Sequence, residues 1–389
     1  MLFDPASHEP LVDTPWSESR ARVAIAAIVA DAESAFDEQS LWPAHPLDDE
    51  VTSVEALTLY IGASGVVWAL DELERRGAVE LQRNWAPTAV ALHGRYVAES
   101  LGDPTPSLFG GESGILLVAH RLAPEAWQED RLLACIRANV ANPFWELMWG
   151  SPGTMVAAQV MHERTSAERW AEAWRESADR LWEEWRDELW VQNLYGKFVQ
   201  VLGPAHGFVG NVYALARGQL LDEDRRAELE RRAVASVARH AQRADGLAQW
   251  PPAITPGTSD EFRTQWCHGA PGIVTSFAAI APRDEQLTEL LLAGGELTWR
   301  AGPLVKGPGL CHGTAGNGYA FLKLFERTGN ELWLDRAHAF AMHAAEQVER
   351  MRSTYGRGRY TLWTGDLGTA LYLRSCIEAD AAMPTIDNF

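Results

Sequence analysis

The amino-acid sequence predicts an all-α protein, a double-layered (α/α)7 toroid with seven inner and seven outer helices in a single domain of residues 1–389. Three observations carry this prediction. A short glycine signature recurs seven times, amphipathic segments lie between the signatures, and no sustained alternation of apolar and polar residues indicates a β-sheet. Each interval between signatures can hold two helices of ordinary length, so we expect one inner and one outer helix per repeat.

Each glycine signature precedes an apolar stretch and therefore marks the expected start of an inner helix. Glycine has no Cβ, so the chain can turn sharply there and pack closely. Seven helix N-termini would then meet around one mouth of the ring, where free N–H groups and helix dipoles favour anions and thiolates. The final glycines of successive signatures lie 39 to 62 residues apart, and the signatures occupy residues 62–65, 111–114, 150–153, 206–210, 267–272, 311–316 and 365–368.

The segments between the signatures have the pattern of outer helices. Residues 167–190, 222–244 and 331–351 are rich in Ala, Arg, Glu and Trp, and their apolar residues recur every three or four positions. Such helices bury one face and expose the other, whereas the more uniformly apolar stretches after the glycines indicate helices buried on most sides.

The overall charge excludes several classes of partner. The chain carries 53 acidic and 34 basic residues, a formal net charge of -19, which would repel nucleic-acid phosphates and an anionic membrane surface. No apolar run approaches the roughly 18 residues of a membrane span, and residues 1–5 have none of the features of a signal peptide. We therefore expect a cytoplasmic protein with no nucleic-acid partner and no membrane span, and a monomer as the default for a closed ring.

Two of the four cysteines stand apart from the others. Cys135 and Cys376 lie among aliphatic residues and are expected to be buried in helices, whereas Cys267 and Cys311 are flanked by histidine and glycine. Cys311 and His312 are neighbours, and in a turn both can reach one ion. Two thiolates and one imidazole select Zn²⁺, and three protein ligands leave its fourth position open. The predicted metal ligands are thus Cys267, Cys311 and His312.

Residues 266–272 (WCHGAPG) and 310–316 (LCHGTAG) closely resemble the zinc motifs of the lanthionine synthetase C family and its eukaryotic LanC-like relatives. The seven glycine signatures also match the repeats of that family in order and number. The resemblance implies an α-toroid with a catalytic zinc ion at one end. It further implies addition of a thiol to dehydroalanine or dehydrobutyrine, the thiol belonging to a peptide cysteine in the cyclases and to glutathione in the eukaryotic relatives.

The same resemblance suggests five further site residues. His206 matches a histidine proposed for acid/base work, and Arg263 matches an arginine that would stabilise the enolate oxygen. Glu146 stands where the cyclases carry an aspartate proton donor. Lys306 resembles a lysine that handles phosphorylated substrate in the eukaryotic relatives. His268 is expected to lie beside the metal as a hydrogen-bonding or substrate-facing residue rather than as a ligand.

The expected partners are a dehydrated peptide or protein, glutathione, and a separate dehydratase, since no kinase or dehydratase region is evident. We also expect residues 245–265, with Pro251, Pro252 and Pro256, to form a long loop over the mouth that governs substrate entry.

Other functions remain open at this stage. One is a non-catalytic, zinc-containing module that binds glutathione or peptides. Another is an (α/α) barrel acting on sugars through paired carboxylates, for which Glu112, Glu146 and Asp366 are candidates, although it leaves Cys267 and Cys311 unexplained. Protein prenyltransferases also bind zinc in a helical barrel, but a basic diphosphate pocket is not evident.

Overall fold

Two concentric layers of helices make up the computed structural model, which describes residues 1–255, 257, 261–280 and 284–389, with only the backbone at 279 and 280. Fourteen α-helices lie in these ranges and alternate between the layers. The outer helices are α1 (Glu18–Ser34), α3 (Ala86–Glu99), α5 (Ala126–Asn139), α7 (Glu168–Glu184), α9 (Glu223–His240), α11 (Glu285–Ala301) and α13 (Glu331–Tyr355). The inner helices are α2 (Ala63–Arg75), α4 (Glu112–Leu122), α6 (Ser151–Thr165), α8 (Phe208–Ala216), α10 (Ala270–Ile280), α12 (Thr314–Thr328) and α14 (Asp366–Glu378).

The inner helices form a closed ring. Each packs against the next, and α14 returns to pack against α2, while α1 closes the outer layer by packing on α14 and α13. The predicted all-α toroid with seven inner and seven outer helices is therefore confirmed. None of the helices in the described ranges is long and apolar enough to cross a lipid bilayer.

The two layers begin their helices differently. Several outer helices start at side-chain caps, as at Ser17, Asp222, Asp284 and Asn330, where the side chain accepts a hydrogen bond from the first turn. The inner helices start at glycine, because any Cβ there would meet the backbone of the preceding loop. At Gly316, the last residue of its signature, a Cβ would overlap the carbonyl oxygen of Leu310. Close packing explains the recurrence of the glycines.

Two β-hairpins lie on connections that lead into inner helices, where the sequence had indicated only helix and loop. Strands β1 (Gln192–Leu194) and β2 (Lys197–Val199) form the first hairpin, and β3 (Gln242–Ala244) and β4 (Leu247–Gln249) form the second. The outer helices predicted over 167–190 and 222–244 accordingly end earlier, at Glu184 and His240. Three-residue strands are too short to show an alternating pattern.

The segment after the second hairpin is partly tied down rather than free. The backbone N–H of Leu202 donates to the carbonyl of Pro252, and the N–H of Ile254 donates to the carbonyl of Gln200. The predicted loop over the mouth therefore begins with paired backbone, and its Pro256 lies outside the described residues.

The last residues of the chain lie inside the ring, at the end opposite the glycine turns. Asp387 accepts from the Tyr213 hydroxyl of α8 and pairs with Lys323 of α12, Nζ to Oδ2 being 2.9 Å. Phe389 packs its ring on Trp68 of α2, and its carbonyl accepts from Arg164 of α6 at 2.7 Å. Four inner helices thus share contacts with this terminal segment.

Candidate metal centre

Two neighbouring inner-helix starts bring the three predicted ligands together. The ligand atoms of Cys267, Cys311 and His312 all lie within 4.8 Å of one another, and both cysteines are buried. Cys267 precedes α10, whereas Cys311 and His312 precede α12. The two turns are joined by a hydrogen bond of 3.1 Å from the backbone N–H of Cys267 to the carbonyl of Cys311. Two sulfur atoms and one imidazole nitrogen at this spacing fit zinc with an open fourth position.

The repeat itself explains why these side chains converge. Each inner helix is preceded by a glycine, and the residues one and two positions before it occupy equivalent places around the mouth. Two positions before the glycine stand Tyr60, Phe109, Met148, Ala205, Cys267, Cys311 and Trp363. One position before it stand Ile61, Gly110, Trp149, His206, His268, His312 and Thr364. The polar chemistry is therefore concentrated in the fourth, fifth and sixth repeats, with apolar residues at most of the other places.

Hydrogen bonds and two nearby imidazole groups favour a thiolate at Cys267. A hydrogen bond from the Cys311 thiol, together with the imidazoles of His268 and His312, holds the pKa of Cys267 well below its ordinary value despite burial. The amide Nε2 of Gln265 also donates to the Cys267 sulfur over 3.0 Å. An anionic sulfur is the form that binds a soft metal, so the electrostatics agree with the donor set.

Glu146 and His206 form a hydrogen-bonded pair at the same mouth. Glu146 is fully buried, and its Oε2 lies 3.0 Å from Nδ1 of His206. The carboxylate also accepts from the backbone N–H groups of Met148, Trp149 and Gly150 at 2.9, 2.6 and 3.1 Å. Burial alone would lower the pKa of His206, but the hydrogen bond and charge of Glu146, helped by Cys267, raise it above the ordinary value.

His268 lies between this pair and the thiols. Its ring centroid is 6.1 Å from that of His206, and its buried Nδ1 has no hydrogen-bond partner among the described residues. Burial lowers the pKa of His268, and the positive charges of His206, Arg263 and Lys306 act in the same direction against the opposing effect of Cys267. The Nδ1 of His268, unpartnered in the described part of the chain, can exchange a hydrogen bond with a substrate.

The two predicted cations, Arg263 and Lys306, line a cavity of about 550 Å³ that also includes Gln265 and the N-terminal residues Phe3 and Asp4. Nζ of Lys306 donates to Oε1 of Gln265 over 3.5 Å, and Gln265 in turn contacts Cys267. Lys306 is therefore linked to the Cys267 sulfur through the side chain of Gln265, which also lines the cavity.

The expectation of free N–H groups at the helix starts is wrong for α8 and α12. The N–H groups of Phe208 and Val209 donate to the carbonyls of Val201 and Leu202, and the first N–H groups of α12 are taken up by the loop at 307–309 in the same way. The glycine turns allow the loop to approach closely enough to satisfy these donors. These N–H groups of α8 and α12 are therefore not available to bind an anion at the mouth.

Three residues of the site were not predicted from the sequence. Gln265 contacts the Cys267 sulfur, and the Trp149 ring stacks on His206 with 5.1 Å between centroids. The Tyr60 side chain is hydrogen-bonded to Cys311, and burial together with Cys311 raises the pKa of Tyr60 well above its ordinary value. Aligning the repeats on their glycines would have found Tyr60 and Trp149, since both occupy positions equivalent to those of the ligands.

The other two carboxylates considered for sugar chemistry are occupied elsewhere. Glu112 is fully buried against His93, Arg131 and Cys135, and buried Asp366 accepts from the backbone N–H of Arg359 at 2.9 Å.

Comparison with known proteins agrees with this architecture. The sequence model of the family described as lanthionine synthetase C-like protein matches residues 53–387. Nisin cyclase has a similar fold, with a TM-score of 0.58 over 84% of this chain and 95% of its own, at 15% sequence identity.

Two curated relatives are similar over about half of the chain. LanC-like protein GCL1 of Arabidopsis thaliana is 30% identical over 195 residues, which cover 48% of this chain and 42% of the relative. Glutathione S-transferase LANCL1 of Danio rerio is 32% identical over 207 residues, covering 51% of this chain and 47% of the relative. The matched part thus spans less than half the length of either relative.

Proposed function

Since the chain belongs to the lanthionine synthetase C-like family, we propose that it is a zinc enzyme that adds a cysteine thiol to dehydroalanine or dehydrobutyrine in a peptide or protein, forming a thioether. The observation that carries this proposal is the presence of two functional groups at one mouth. The Cys267, Cys311 and His312 cluster offers a metal site, and the Glu146–His206 pair offers a proton donor next to it.

Cys267, Cys311 and His312 would hold the metal. When bound there, zinc supplies a Lewis acid that favours the deprotonated form of an added thiol near neutral pH. Gln265 stabilises the charge of the Cys267 sulfur through its hydrogen bond and so supports the ligand set from outside.

His206 is proposed as the general acid. The thiolate forms a C–S bond with the β-carbon of the alkene, and the π electrons move to the α-carbon and the adjacent carbonyl oxygen. Protonation of the α-carbon then completes the addition and replaces the proton that the thiol lost. Glu146 favours the protonated form of His206 by raising its pKa, and three backbone hydrogen bonds hold the Glu146 carboxylate in place.

Arg263 and Lys306 are proposed to bind the negative charge of the reactants. The enolate oxygen that develops during addition needs positive charge or hydrogen-bond donors nearby. The same two cations suit a thiol compound that carries carboxylates, such as glutathione, whereas a peptide cysteine needs no such group. Glutathione and a peptide cysteine both fit the proposed chemistry as the source of the thiol, and the experiment below distinguishes them.

The proposal is tested by mass spectrometry of the zinc-loaded protein with a peptide that contains one dehydroalanine and one cysteine, with and without glutathione. Addition of glutathione raises the peptide mass by one glutathione, while cyclisation leaves the mass unchanged and removes the free thiol, as alkylation of the product would show. Cys311→Ala should lose both zinc and product. His206→Asn should keep zinc and lose most of the product.

Absence of product in every arm, with zinc bound and the fold intact, would contradict the enzyme. The alternative of a non-catalytic module that binds glutathione or peptides would then be supported by binding of those compounds without turnover.

A further inference from the structure

The β1–β2 hairpin presents an apolar surface next to the candidate site. Tyr195 and Phe198 are 78% and 74% exposed, and Val191 beside them is also exposed. Three of the eleven exposed large apolar residues of the described chain thus lie within residues 191–198, while most of the others are scattered singly. Single exposed apolar residues are common on protein surfaces, but a cluster marks a binding surface.

A continuous row of aromatic rings connects this hairpin with His206. The Tyr195 ring meets the Trp149 ring edge to face, with 5.7 Å between centroids, and Trp149 stacks on His206 at 5.1 Å. The Phe144 ring also packs on Trp149, with 5.9 Å between centroids. The Tyr195 and His206 rings therefore lie no more than about 11 Å apart, which an extended peptide spans with roughly three residues.

The hairpin is anchored firmly enough to hold its tip in place. The buried Gln192 side chain accepts from the N–H of Val201 at 2.9 Å and donates to the carbonyl of Trp145 at 3.4 Å. On β1, the N–H of Asn193 donates to the carbonyl of Pro143 at 3.2 Å. Exposure of Tyr195 and Phe198 is thus a property of an ordered element.

The second hairpin provides an internal reference. Its two turn residues, Asp245 and Gly246, have φ of +53° and +76°, and those of the first hairpin, Tyr195 and Gly196, have φ of +52° and +74°. Turns of this geometry favour Asn, Asp or Gly at the first position, since larger side chains are strained in the left-handed region. The first hairpin keeps a tyrosine where the second has the favoured aspartate.

We propose that the β1–β2 hairpin docks the peptide substrate, with Tyr195 and Phe198 binding an aromatic or large apolar side chain about three residues from the dehydroamino acid. The inference rests on the proposed function, because it requires a peptide whose reacting residue lies at His206. It goes beyond that function by naming a sequence feature of the substrate.

The test compares Tyr195→Asn with the wild type on two peptides. One carries phenylalanine three residues from the dehydroalanine, and the other carries alanine at that place. Asparagine is favoured in this turn, so the variant should be at least as stable as the wild type by thermal unfolding. We expect kcat/KM for the phenylalanine peptide to fall about tenfold, mainly through KM, and several times more than for the alanine peptide. Leu101→Asn, a matched change at another exposed apolar residue whose φ is +53°, should leave both values unchanged.

A binding measurement separates this inference from the proposed function. Titration with an unreactive phenylalanine peptide, carrying alanine in place of dehydroalanine, should give a Kd about tenfold weaker for Tyr195→Asn than for the wild type. Equal Kd values, or equal losses on both peptides, would overturn the docking role even in an active enzyme. An inactive wild type with the expected difference in Kd would instead count against the proposed chemistry alone. A change of oligomeric state in Tyr195→Asn by sedimentation would assign the surface to a second copy of the chain and also overturn the inference.

Discussion

Two buried glutamates of this protein each contact a histidine, yet their surroundings differ. Glu112 lies 2.7 Å from Nε2 of His93, and Glu146 lies 3.0 Å from Nδ1 of His206. Glu112 also accepts two hydrogen bonds from Arg131, at 2.6 and 2.7 Å, whereas the remaining bonds to Glu146 come from backbone N–H groups.

The partners determine what each pair can do. His93 belongs to α3 and Arg131 to α5, so Glu112 at the start of α4 joins one inner helix to two outer ones, and its charge is neutralised by an arginine. Glu146 has His206 as its charged partner, and that imidazole lies at the mouth beside the candidate metal ligands. A buried Glu–His pair therefore does not by itself indicate a catalytic role. The position of the histidine in the repeat, at the mouth for His206 and on an outer helix for His93, distinguishes the two pairs better.

The largest expected difference between the two pairs is in turnover. His206→Asn should lower the single-turnover rate of thioether formation by roughly 10²–10³-fold, since it removes the proposed general acid. His93→Asn is the matched control and should leave the rate of the folded enzyme unchanged. Equal losses in the two variants, measured with zinc content verified, would remove the distinction between the pairs.

The Glu112 pair is expected to matter for the stability of the fold instead of for turnover. Glu112→Gln is expected to lower the free energy of unfolding by about 3 kcal/mol near neutral pH, because it breaks a buried charge pair. Despite the opposing effect of burial, the bonds from His93 and Arg131 hold the pKa of Glu112 at about 2, below its ordinary 4.5.

The stability difference between the wild type and Glu112→Gln should depend on pH, because the pKa of Glu112 is lowered in the folded protein. A carboxylate with a lowered pKa stabilises the fold above pH 4.5 and loses this contribution as the pH falls towards 2. Denaturant unfolding of the wild type and Glu112→Gln should therefore converge at acid pH, and a constant difference between the two would contradict the assigned cause.

Asp366 sharpens the comparison because it occupies the position of Glu112, the first residue of an inner helix, but accepts its hydrogen bond from a backbone N–H instead of an arginine side chain. Burial raises its pKa to about 7, although the backbone N–H of Arg359 and the charge of Arg352 oppose the shift. Ionising this group thus costs stability as the pH rises from about 4 to 7. Asp366→Asn should be more stable than the wild type at pH 8, by on the order of 1–2 kcal/mol, and the gain should vanish at pH 4.

Thermal unfolding of Asp366→Asn across this pH range checks the expectation. An unchanged gain at acid pH would show that the substitution acts through packing instead of through ionisation.

The smallest effect concerns the pH profile of the reaction. Glu146 raises the pKa of His206, so the proposed acid stays protonated to higher pH in the wild type. In Glu146→Gln the decline of kcat/KM on the alkaline side should therefore begin at lower pH than in the wild type. Glu112→Gln should leave the pH profile of kcat/KM unchanged. If Glu146→Gln had the same pH profile as the wild type, His206 would not be the general acid.

The repeated glycines made the ring predictable, because the same close contact with the preceding loop recurs at each inner helix. Cys267, Cys311 and His312 could be proposed as ligands because two similar motifs lie in consecutive repeats; their role as ligands, like those of His206, Arg263, Glu146, His268 and Lys306, stays a prediction. The partners of Glu112 could not be predicted, since His93 and Arg131 reach it from two separate helices.

The two hairpins were missed for a related reason. Their strands are three residues long, and only the turn dipeptides Tyr195–Gly196 and Asp245–Gly246 pointed to them. The end of α7 was also misplaced, since the tryptophan spacing continues to Trp185 although the helix ends at Glu184. Trp190 folds back, and its indole N–H donates to the carbonyl of Leu181 at 2.8 Å.

The terminal segment inside the ring bears on how the protein unfolds. In open arrays of helical repeats each unit contacts only its neighbours, so one end can fray while the rest stays folded. Here the ring has no free end, and Asp387 and Phe389 are held jointly by α2, α6, α8 and α12. Opening any one of these repeats would disturb contacts shared with the other three, which couples distant parts of the ring into one cooperative unit.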